Sequence, residues 1–138
     1  RRVLFRSMVA KDIAAGSSIT VDGAGGAITL QAIPQVHGDI ASLGLRVGNL
    51  AYSPDVSELP REAVAMLQGL DHWIVDALRY TSHPSHFSVK EALGWIDKLG
   101  VKHGVLTLMT TDLDYAALRR ELPAHVEPAY DGMQIAFE

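Results

Sequence analysis

The chain has no cysteine among its 138 residues, which excludes disulfides and thiolate metal ligation. It has no surplus of positive charge either. Twelve Lys and Arg stand against 16 Asp and Glu, a net charge of -4, so the electrostatic footprint of a nucleic-acid binder is missing and no such partner is expected. No uninterrupted apolar run is long enough to cross a bilayer, and no membrane partner is expected. Cysteine-free chains suit a reducing compartment, so the expected location is cytoplasmic. What is present is a globular balance of 48% hydrophobic and 20% charged residues, over a length that builds one domain rather than two.

The opening Arg1-Arg2-Val3-Leu4-Phe5-Arg6-Ser7 places two charges before an apolar run, but Arg6 breaks that run before it becomes a signal-peptide core. The stretch resembles a translated sequencing adaptor. Residues 1–7 are therefore expected to be a non-native lead and are kept out of the fold argument.

Two β-rich runs at 18–21 and 27–33 flank Asp22-Gly23-Ala24-Gly25-Gly26 and read as a hairpin. No Lys-Ser/Thr follows these glycines, so they are a turn rather than a phosphate loop. Residues 39–42 read as a polar connection, and 43–47 with 50–52 as a second hairpin turning at Gly48-Asn49. Pro60 and Gly69 bracket a helix over 61–67. A buried strand at 73–75 arrives at Asp76, which either supports a site or pairs with Arg79. Ser88 and Glu91 form a capping box for a helix through Leu99 that Gly100 stops. A strand is expected at 105–109, and a helix at 115–122 capped by Asp112 or Asp114. A final hairpin, 127–130 with 133–137, is expected to turn at Asp131-Gly132. Hairpins first, then alternating helix and strand, is the pattern of half a layered α/β sandwich with helices on one sheet face.

Chemistry-bearing residues gather where strands give way to other structure. Gln35-Val36-His37-Gly38 ends one strand, Tyr52-Ser53-Pro54-Asp55-Val56-Ser57 another, and His83-Pro84-Ser85-His86-Phe87-Ser88 lies between strand and helix. Pro54 fixes its own φ and pushes Ser53 toward extended geometry, so Asp55 leaves the strand in a defined direction. Two imidazoles and a carboxylate converging on one sheet edge suit a borderline metal such as zinc. The plainer alternatives are that Asp55 and His86 serve the caps of the helices that follow and that His37 is a hydrogen-bonded structural histidine. His72, His103 and His125 sit beside charged or loop residues and read as solvated surface positions.

Those three stretches, with Asp76-Ala77-Leu78-Arg79-Tyr80, Asp112-Leu113-Asp114-Tyr115 and Tyr130-Asp131-Gly132-Met133, resemble the metallo-β-lactamase-fold hydrolases. The branch they resemble contains the phosphoribosyl cyclic phosphate phosphodiesterases of phosphonate breakdown. The resemblance implies the C-terminal half of an αββα sandwich over 8–138, with a mixed sheet and helices on one face. It implies two metal ions, zinc or manganese, with His37 as a metal ligand and Asp55 as the carboxylate bridging both. His86 matches a histidine that protonates the leaving group, and Tyr52 and His83 are weaker candidates for the substrate cleft. The implied activity is hydrolysis of a small phosphodiester, such as a cyclic phosphate, by a metal-activated water.

Two features depart from the family. Its H-x-H-x-D-H signature appears nowhere in the sequence, which fits a chain lacking its N-terminal half and expected to be inactive alone. Its last metal-binding histidine should follow Thr107, where this chain has Leu108, so the second ion is in doubt. The alternative reading is a non-catalytic binding or assembly domain that has lost its second metal site. A sheet face left uncovered by a missing half would also favour a homo-oligomer.

Overall fold

Among the described residues, seven strands form one sheet whose spatial order is the order of the chain. The computed structural model describes residues 10–137, so the lead at 1–7 lies outside the described residues. β1 (Ser18–Gly23), β2 (Gly26–His37), β3 (Ile40–Val47) and β4 (Leu50–Ser53) make an antiparallel meander. β5 (His72–Asp76), β6 (His103–Thr107) and β7 (Val126–Pro128) then continue parallel to β4. Parallel neighbours need crossovers. α1 (Arg61–Met66), α2 (Val89–Leu99) and α3 (Tyr115–Glu121) supply them.

The register separates the two faces. Ala51, Trp73, Gly104 and Val126 lie side by side in one cross-strand row and are all buried. Ala51, Trp73 and Val126 share the hydrophobic core with Ala63, Ala92, Ile96, Leu99 and Leu118 from the helices. Gly104 leaves room for α2 there: a Cβ at that position would lie 2.6 Å from Ile96 Cδ1. The alternate row, Tyr52, Ile74, Val105 and Glu127, faces away from the helices, and Tyr52 is exposed. The mixed sheet with helices on one face is the expected architecture.

α2 starts and stops as its sequence dictates. Ser88 Oγ accepts from the Glu91 N–H, the Glu91 carboxylate accepts from the Ser88 N–H, and Gly100 closes the helix at φ 65°. Asp114, rather than Asp112, caps α3 through the Ala117 N–H at 2.8 Å.

Several boundaries differ from the sequence reading. Residues 40–42 belong to β3, because Ile40 pairs with His37 and the hairpin turns within Gly38-Asp39. β6 stops at Thr107, since Leu108 enters the left-handed region at φ 58°. Asp131-Gly132 does turn, with the Met133 N–H donating to Tyr130 O at 3.0 Å, but residues 133–137 form no strand. β7 instead takes its ladder from β6, and Ala129 N–H extends it to Leu106 O.

Candidate metal centre

β2 runs in the same direction as β4, β5 and β6, because β3 is antiparallel to both β2 and β4. Their C-terminal ends therefore share one rim of the sheet. His37 is the last residue of β2, Asp55 lies two residues beyond β4, Asp76 ends β5, and His86 lies in the loop from β5 to α2. On this rim His37, Asp55 and His86 each offer a ligand atom, all within 4.8 Å of one another. The two imidazoles meet edge to face, with ring centroids 4.6 Å apart.

Each member is held by backbone or buried side chains. Asp55 adopts φ 46°, a left-handed conformation that Asp tolerates better than most residues. The carbonyls on both sides of its Cα are pinned: Gln35 Nε2 donates to Pro54 O at 2.9 Å and Ser42 Oγ to Asp55 O at 2.7 Å. Gln35 fits because residue 44 is glycine; a Cβ there would stand 2.4 Å from its Oε1. His37 Nδ1 lies 2.6 Å from Ser85 O. A carbonyl only accepts, so the proton sits on Nδ1 and Nε2 keeps its lone pair. Gly38 allows this approach, since a Cβ there would fall 3.0 Å from Ser85 Cβ.

His86 is oriented by Asp76, whose Oδ2 lies 2.5 Å from Nδ1 and also accepts from the Val56 N–H at 3.2 Å. Asp76 is fully buried. Burial pushes its carboxyl above the ordinary value, and the bonds to His86 and Val56 pull it back down. Of the two roles open to Asp76 in the sequence, the structure takes the supporting one. Arg79 turns instead to Thr81 O and Ser82 O. The loop carrying His86 is anchored just past Asp55 by the Phe87 N–H, which donates to Val56 O at 2.7 Å.

Of the weaker candidates, His83 falls beside the cluster. His83 stacks 5.2 Å from His86, and its Nδ1 lies 3.3 Å from the Ser85 N–H. Burial, with Arg79 and His86 nearby, holds its imidazole below the ordinary value. Tyr52 lies on the open face, paired in register with Ile74, one same-face row before Asp76. Leu108 follows Thr107, the register partner of Asp76, and is exposed. The Thr110 hydroxyl donates to Leu78 O at 3.0 Å. Gln35, Ser42 and Ser85 carry no sequence signal for their roles, because each acts through one hydrogen bond to a residue distant in the chain.

His72 and His103 are not freely solvated, contrary to expectation. Direct register partners on β5 and β6, they face each other through Nδ1 atoms 3.1 Å apart. His125 remains at the surface, 3.7 Å from Asp97.

A family model described as "Beta-lactamase superfamily domain" matches residues 3–108. An octanoyltransferase of Porphyromonas gingivalis is 28% identical over 112 residues, 78% of this chain and 22% of that protein. Among solved structures, a diphosphatase of the PhnP family superposes with a TM-score of 0.84 at 33% identity. That match covers 91% of this chain and 48% of the diphosphatase, so the chain spans about half of that relative's length. The metallo-β-lactamase-fold protein YhfI of Bacillus subtilis superposes with a TM-score of 0.70 at 16% identity. It covers 88% of this chain and 53% of YhfI, a likeness of fold alone.

Proposed function

From a chain that belongs to the β-lactamase superfamily domain family, in its metallo-β-lactamase-fold hydrolase branch close to the PhnP-family diphosphatase, we infer the metal-holding half of a phosphodiester hydrolase. The observation that carries the reading is the convergence of His37, Asp55 and His86 within 4.8 Å. Imidazole nitrogen and carboxylate oxygen are donors that suit zinc or manganese, and the Ser85 carbonyl leaves His37 Nε2 free to ligate. A cation held there supplies Lewis acidity toward a phosphoryl oxygen and toward water.

The chain's own residues do the rest. His37 and Asp55 fix the cation's position at the rim. His86, with Nδ1 engaged by Asp76, turns Nε2 toward the same spot and delivers its proton to the leaving oxygen of the ester. Asp76 keeps the ring in that orientation and balances the imidazolium charge before transfer. Tyr52 and His83 flank the approach. The substrate class is a small phosphodiester, with cyclic or sugar phosphates as first candidates.

Two ligands are fewer than a catalytic zinc site normally uses, so the chain alone is expected to bind metal weakly and to turn over no substrate. Calorimetric titration with Zn2+ tests the roles. In a His72→Ala, His103→Ala background, which confines binding to the rim, His37→Ala and Asp55→Asn should abolish binding, while His86→Ala leaves most of the affinity in place. Equal loss in all three variants would make His86 a ligand and remove its role as acid. Metal-dependent hydrolysis of bis(p-nitrophenyl) phosphate by the unmodified chain, lost in Asp55→Asn, would overturn the expected inactivity.

The competing reading, a binding domain without catalysis, draws on Leu108. It predicts no Zn2+ binding by the intact rim in that same background.

A further inference from the structure

At the other end of β5, a whole strand away from the rim, His72 and His103 are register partners on β5 and β6, and Glu127 of β7, one same-face row further on, reaches back to His103. His72 Nδ1 lies 3.1 Å from His103 Nδ1, and His103 Nε2 lies 2.7 Å from Glu127 Oε1. The geometry points to a second metal site, separate from the first, in which the Nδ1 atoms of His72 and His103 chelate one borderline transition-metal ion.

Three observations support it. The first is the bite. Two nitrogens each about 2.0–2.1 Å from one ion stand roughly 2.9–3.4 Å apart for ligand angles between square and tetrahedral. The Nδ1 separation falls inside that interval. The second is the tautomer. Glu127 is an acceptor when ionised, so His103 carries its proton on Nε2 and presents the Nδ1 lone pair to His72. A carboxylate behind a ligating imidazole is the usual means of orienting it and raising its basicity. The third is access: His103 and Glu127 are each 29% exposed, and His72 is half-buried. Lys102, the nearest basic residue in sequence, has its ammonium on Asp71 Oδ1 at 2.5 Å, so its charge is already compensated.

Without an ion, the proton between the two Nδ1 atoms belongs to His72. Binding releases it or shifts it to His72 Nε2, and modest rotation about χ2, a broad torsion in His, turns both lone pairs to a shared point. Imidazole pairs suit Cu2+, Ni2+ and Zn2+, and affinity should follow the order in which Cu2+ is held most tightly.

The test uses Cu2+ and the full chain carrying His37→Ala and Asp55→Asn, which silences the rim. One Cu2+ should bind per chain, with nitrogen hyperfine structure from two imidazoles in electron paramagnetic resonance. Affinity should fall at least about tenfold in His72→Ala and in His103→Ala, and by about 10–100-fold in Glu127→Ala. Affinity unchanged by either histidine substitution, or no saturable binding, overturns the site. Nitrogen-15 imidazole spectra of the unmodified chain titrated with Zn2+ give a check free of mutation. Nδ1 signals of His72 and His103 should move on binding; movement of their Nε2 signals instead would refute the chelate. Because the rim is disabled in the first experiment, its outcome is independent of the hydrolase reading.

Discussion

His86 Nδ1 and Asp76 Oδ2 lie 2.5 Å apart, and the Asp76 side chain is wholly shielded from solvent. Hydrogen bonds offset only part of the hydration this carboxylate loses, since its Oδ1 is buried with no partner among the described residues. Here Oδ2 accepts from both His86 and the Val56 backbone, tying the loop after β4 to the loop after β5. One side chain thus sets the spacing between the Asp55 and His86 segments.

Asp76→Ala should cost about 3 kcal/mol of folding stability, because it strands the Val56 N–H and breaks a buried pair. Asp76→Asn retains an acceptor oxygen and sheds a buried charge, so it should cost distinctly less. Urea denaturation of both variants measures the difference; equal losses would mean that the hydrogen bonds are not what Asp76 contributes.

Leu108 sits at φ 58°, where a leucine pays roughly 1–2 kcal/mol for its Cβ and where His is tolerated far better. Leu108→His should therefore raise the denaturation midpoint and also tighten Zn2+ binding by adding an imidazole beside β6's rim end. A destabilised variant with unchanged Zn2+ affinity would show that this backbone was never suited to a ligand histidine.

Gly104→Ala drives a Cβ into Ile96 Cδ1 and to 3.3 Å from Val126 Cγ2. Overpacking at this depth should destabilise by about 1–3 kcal/mol with little change in the dependence on denaturant. Because the clash lies at the far end of the sheet from the rim, Zn2+ affinity at the rim of the folded variant should match that of the parent chain.

The Asp71 carboxyl is held below its ordinary value of 3.8, chiefly by its hydrogen bond to Lys102, with help from Asn49. A depressed folded-state value adds stability above 3.8 and loses it as pH falls through the folded value. Asp71→Asn should flatten the acid limb of stability against pH, by a small amount given the exposure of the pair. A limb unchanged from the parent would show that Asp71 is not paired in solution.

Much of this was legible in the sequence because it is local. The capping box at Ser88 and Glu91, the stop at Gly100 and the helix after Pro60 each depend on residues a few positions apart. His37, Asp55 and His86 were legible as strand-end residues, and the parallel direction of β2, β4 and β5 brings them to one rim. What escaped depends on pairing across the chain. Ser42 reaches Asp55 only through the β2–β3–β4 register, and His72 meets His103 only because β5 and β6 align without offset. The failed hairpin at 133–137 has the same origin: Asp131-Gly132 specifies a turn, whereas the ladder went to β6, which no local pattern announces.

A sheet whose strands pair strictly with their neighbours in sequence can grow outward from any formed pair, through short turns in the meander and one helical crossover at a time beyond it. No segment must wait for a distant one to be synthesised, so assembly can keep pace with a growing nascent chain. The rim residues fall into place as that growth passes β4 and β5, before the last strand has docked.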